Sequence, residues 1–201
     1  MHPPVLVLRT APAPPPPPRG RLLDDLRATQ AHAATTRWLR VSDLVVRERL
    51  PDEVRAAWSN GRGPGGLRTG IAFVEGDRPF LPHPAPGALS ATCGLTGDTL
   101  TPWLRGFVLA LAGARAVVQL DGERFSLEPR LDGHLRLRAI DPDGVEEARL
   151  IFDRAPLLAA LRAEVNAIPA LLDAARDLGE PLPAADLEEA VRTLHGLDAR
   201  G

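Results

Sequence analysis

The chain contains no lysine, no tyrosine and a single cysteine, Cys93, and all 24 of its basic residues are arginine. Each absence removes a chemistry. Without lysine there is no Walker-type phosphate ligand, no Schiff-base or pyridoxal-phosphate site and no kinase-type ion pair, because each needs a compact or deprotonatable amine. Without tyrosine there is no phenol acid or phenol nucleophile. One thiol excludes zinc sites built on several thiolates, iron-sulfur clusters, a Cys-x-x-Cys redox pair and an intramolecular disulfide. No stretch approaches the roughly 18 apolar residues that cross a bilayer, and residues 1–9 lack the basic start and long apolar run of a secretion signal. These absences predict a cytoplasmic protein without membrane contact. The abundance of Ala, Arg, Gly, Pro and Leu points to a GC-rich coding sequence from a bacterium or its phage.

With 201 residues, 44% hydrophobic and 25% charged, the composition is that of a globular protein long enough to bury a core without staples or metals. Three parts are expected. Residues 1–20 form a Pro-rich N-terminal segment, in which the short apolar run Val5 to Leu8 precedes the unbroken prolines Pro14 to Pro18. Those prolines enforce polyproline II and make a stiff spacer. Residues 21–66 form a helical arm with a Gly-rich hinge. Leu22 to Leu50 lacks Pro and Gly and spaces Leu22, Leu26, Trp38, Val41 and Leu44 as one or two helices rather than strands. Pro51 to Ser59 reads as a short helix, and Gly61 to Gly66 as the hinge.

Residues 67–201 are the expected core domain. Ile71 to Val74 and Phe80 to Leu81 bracket a turn and suggest a short hairpin. Thr101-Pro102 opens a helix carrying Leu104, Phe107, Val108 and Leu111, and Gly113 ends it. Four alternating runs follow: Ala116 to Leu120, Glu123 to Leu127, His134 to Ile140 and Glu146 to Phe152. Asp121-Gly122, Asp132-Gly133 and Asp141-Pro142-Asp143-Gly144 separate them, and Asp-Gly between alternating runs signals a hairpin. The pattern predicts a four-stranded antiparallel meander with one face covered by helices. The covering elements are one long helix, with Leu157, Leu161, Val165, Ile168 and Leu172 inward and a kink at Pro169, and a final helix from Ala184 to Leu194. The fold class is α+β.

Period-two counting places Gln119, Arg124, Ser126, Glu128, His134, Arg136, Arg138, Glu147 and Arg149 on the open face. Arg124, Arg136, Arg138 and Arg149 are candidate binding residues, because guanidinium groups pair with phosphate or carboxylate through two parallel hydrogen bonds. The competing expectation is that Glu123, Glu128, Glu146 and Glu147 pair with them across the strands and the face is merely solvated. The basic arm is the second candidate. Residues 1–70 hold 11 Arg against 6 acids, whereas residues 71–201 hold 13 against 20, which sets Arg37, Arg40 and Arg47 against a phosphate backbone or an acidic protein.

Catalytic patterns are weak. Cys93 with His83 or His134 as base is one nucleophile pairing, but a lone cysteine among small residues reads as a buried apolar side chain. His2, His32, His83, His134 and His195 show no HxH, HxxxH or HExxH spacing, and no GxSxG occurs. No catalytic residue, no metal and no cofactor is therefore expected. Trp38, Trp58 and Trp103 suit a core better than an exposed anchor. The expected function is a non-enzymatic protein-protein interaction module, of adaptor, chaperone or toxin-neutralising type, binding a protein partner or its own copy. Two alternatives stand beside it: a nucleic-acid or nucleotide binder, which lacks aromatic stacking platforms on the open face, and a hydrolase with an assembled His/Asp/Glu site.

Overall fold

The apolar run Val5 to Leu8 is a strand. In the computed structural model it belongs to β1 (Pro4–Thr10), which pairs antiparallel with β2 (Arg37–Arg40) on one side and with β3 (Thr69–Glu75) on the other. A fourth strand, β4 (Arg78–Phe80), completes the order β2-β1-β3-β4. The structure describes residues 4–10, 37–60, 67, 69–75, 78–80, 100–120, 123–140, 144, 146–179, 182 and 184–198. The proline run Pro14 to Pro18, the hinge Gly61 to Gly66, His83 and Cys93 lie outside them.

Two helices follow β2: α1 (Val41–Val46) and α2 (Leu50–Asn60). Within Leu22 to Leu50, expected as one or two helices, residues 22–36 lie outside the described residues and Arg37–Arg40 is a strand instead, where pairing with β1 fixes an extended backbone that the local spacing does not encode. The Pro51 to Ser59 helix forms, one residue longer at each end.

The second sheet is the expected meander. After α3 (Leu100–Leu111) come β5 (Ala116–Leu120), β6 (Glu123–Pro129), β7 (His134–Ile140) and β8 (Glu146–Asp153), in the order β5-β6-β7-β8. Gly113 leaves α3 at φ 93° and Gly133 turns β6 into β7 at φ 81°, backbone angles that a side chain would strain. The long helix divides at Asn166–Ala167 into α4 (Arg154–Val165) and α5 (Ile168–Arg176). Pro169 does not kink a continuous helix; it sits in the first turn of α5, where its missing N–H costs no bond. The chain closes with α6 (Ala184–Gly196).

Both sheets feed one apolar core. Helix α3 lies against β3, β5 and β6, α4 against β1 and β8, and α6 against α3 and α4. Trp103 stacks on Phe107 and tilts onto Phe125 with ring centres 4.9 Å apart, while Phe73 of β3 stacks on Phe152 of β8 at 5.2 Å. Aromatic pairs at these spacings add roughly 0.5–1.5 kcal/mol each beyond their buried area. Residues 154–176 are long and apolar enough to cross a bilayer by length and composition alone, yet half of their apolar window is buried in this core.

Candidate functional site

Register sets the open face of the second sheet in rows. Val117, Ser126, Arg138 and Arg149 lie side by side across the four strands; Glu128 and Arg136 lead the next row to Ile151, and Gln119 and Arg124 the previous one to Ile140. The candidate residues Arg124, Arg136, Arg138 and Arg149 therefore do share one surface. Arg138 and Arg149 are directly opposite, an arrangement that repels unless an anion lies between them. Glu146 is that anion, 3.4 Å from Arg138 Nη1 and 2.6 Å from Arg149 Nε.

Glu128 is the centre of the network. It accepts two hydrogen bonds from Arg136, one from Arg138 and one at 2.9 Å from Ser126 Oγ, and lies 3.4 Å from Arg115 Nε. These long side chains lie flat on the sheet, so that Ser126 is 0% exposed although it sits on the outward face. Burial raises the Glu128 carboxyl, but the donors Arg136, Ser126 and Arg138 outweigh it and hold the group down to about 2. The same bond to Glu128 raises Arg138 above the ordinary arginine value. Arg136 and Arg138 are thus committed within the sheet. Arg149 and Arg115 remain more than half exposed, and exposed Arg124 has no charged partner among the described residues. The pairing expected as a competitor of binding is present at Glu128 and Glu146, which contact Arg115, Arg136, Arg138 and Arg149, and Asp153 on the same face stands against His134; the side chains of Glu123 and Glu147 lie outside the described ones. Arg115 extends the period-two series 115, 117, 119 by one step and was readable from the sequence on that basis.

Of the basic-arm candidates, only Arg40 and Arg47 have described side chains. The Arg37 side chain lies outside the described residues, and Arg47 is exposed just beyond α1 with no charged partner among them. Arg40 turns inward onto Glu164 of α4, a carboxylate only 5% exposed. The other Glu164 oxygen accepts the backbone N–H of Leu6 at 3.0 Å, and Ser42 Oγ stands 3.4 Å away. The hydrogen bond to Glu164 raises the Arg40 guanidinium against the opposing effect of its own burial. This residue joins β1, β2 and α4, and nothing local in the sequence marks it.

His134 is braced between carboxylates. Its Nε2 is 2.9 Å from Asp153, and its Nδ1 is 3.1 Å from Asp132, within ion-pair reach though poorly aligned for a hydrogen bond. An acid thus stands against each ring nitrogen, and Cys93, the nucleophile paired with it in the sequence, lies outside the described residues. Among the described residues, no group of three His, Cys, Asp or Glu side chains is arranged to hold a metal ion. Two further arginines serve helix ends: Arg154 donates to the Leu111 carbonyl at 3.1 and 2.6 Å, and Arg162 to those of Leu194, His195 and Leu197. Comparison of the chain with protein-family models, curated proteins and solved structures returns no match.

Proposed function

We propose that the protein is a non-enzymatic, cytoplasmic interaction module that binds an acidic protein surface through the open face of β5 to β8. The observation that supports this reading is the exposure of Arg115, Arg124 and Arg149 on that face among the described side chains. Glu128 and Glu146 hold the inner arginines in place, Arg115 and Arg149 reach solvent from contacts with these carboxylates, and Arg124 is exposed beside them. Pre-positioned arginines spend less side-chain entropy on meeting a carboxylate partner, and their planar forks favour paired acceptors. No aromatic side chain interrupts this face among its described residues, which disfavours a platform for stacked bases.

Affinity co-purification from a native lysate at low salt, followed by titration of the recovered partner with salt, tests the reading. Arg124→Glu and Arg149→Glu together are expected to weaken capture at least tenfold while the chain still folds, since both side chains are exposed and neither bonds Glu128. Capture that survives both reversals overturns it. So does recovery of DNA or RNA as the bound species, with affinity falling steeply between low and moderate salt.

A further inference from the structure

Two adjacent rows of the open face have every side chain among the described residues, and their four corners alternate in character. Val117 and Arg149 end one row; Arg115, one residue before β5, and Ile151 end the next. Between the corners lies the network around Glu128, in which each charged group already has a partner. The corners reach solvent instead. Val117 and Ile151 are 48% and 52% exposed, and the side chains of Arg115 and Arg149 are 57% and 54% exposed. Aliphatic groups thus hold one diagonal of this surface and guanidinium groups the other.

We infer that the element received here is an acidic amphipathic helix of the partner, laid along the diagonal from Val117 to Ile151; this rests on the acidic protein surface proposed above. The corners select its chemistry. A phosphate backbone or a uniformly acidic segment pairs with the arginines and gains nothing from two separate aliphatic side chains, whereas an amphipathic element covers both kinds of corner at once. Distance selects its form. Three strand spacings of about 4.8 Å and one two-residue step of about 6.6 Å set the aliphatic corners roughly 16 Å apart. A helix rises about 1.5 Å and turns about 100° per residue, so two residues eleven apart lie about 16.5 Å from each other on one stripe. An extended strand spans that distance in about five residues, which turns its two ends to opposite faces. Arg115 and Arg149 then flank the helix on opposite sides, one toward each end and each about 6 Å from its line, in reach of carboxylates that border the apolar stripe.

Two synthetic helical peptides of identical Ala, Glu and Leu composition test this by fluorescence anisotropy against the full chain at low salt. One spaces its two leucines eleven apart; the other spaces them nine apart, on opposite sides of the helix. The first is expected to bind at least tenfold more tightly, a comparison that needs no variant. Val117→Thr together with Ile151→Thr, which keeps the β-branched shape suited to a strand, should abolish that preference. Equal affinity of the two peptides, binding by neither, or a preference indifferent to the threonine pair overturns the inference. Its failure is distinguishable from failure of the reading beneath it. Peptides that bind without regard to leucine spacing, but lose affinity on Arg124→Glu with Arg149→Glu, remove the helix and leave the acidic partner; peptides indifferent to those reversals remove both.

Discussion

At the scale of the residue, Glu128 carries the most consequence. A carboxyl held near 2 in the folded chain, against an ordinary 4.5, is a stabilising group above its unfolded value and ceases to be one as pH falls through the folded value. The urea midpoint is therefore expected to drop as pH is lowered from about 5 toward 2. Glu128→Gln should remove that part of the slope and cost about 1–3 kcal/mol at neutral pH, because it leaves Arg136 and Arg138 crowded without their shared anion. A variant with an unchanged acid slope would place the titrating group elsewhere.

At the scale of the element, Gly106 determines how closely α3 approaches the sheet. A Cβ at this position would stand 2.6 Å from Val118 Cγ2 and 2.9 Å from Leu127 Cδ1, both on buried side chains. Alanine normally favours a helix over glycine by roughly 1 kcal/mol, but the overpacking here costs more, and Gly106→Ala is expected to lower stability by about 1–2 kcal/mol in urea titration. The elements most legible in the sequence were β5 to β8, where period-two alternation meets Asp-Gly turns. Strand β1 was illegible as a strand because Val5 to Leu8 are buried on both faces and show a continuous apolar run instead of alternation. Strand β2 was hidden by brevity: four residues inside a window free of Pro and Gly carry no period, and only the distant β1 makes them extended. The arginine face was legible as a set; the division of labour within it was not, because it depends on which strand lies beside which and on a reach of several ångströms per side chain.

At the scale of the whole molecule, Phe73 of the first sheet packs on Phe152 of the second, and α3 bridges them through Phe107 on Phe73 and Trp103 on Phe125, so both share a common interior. Unfolding is expected to be a single transition, with far-ultraviolet circular dichroism and fluorescence from buried Trp103 losing signal together; two separated transitions would mean that the sheets are independent. Glu164 adds a temporal consequence. It accepts the Leu6 amide across 158 positions of sequence, so at about 5–20 residues per second of synthesis β1 waits roughly 10–30 s for this partner. During that interval the part of β1 that α4 comes to cover stays open, and newly made chains must be kept from sticking to one another there until α4 emerges.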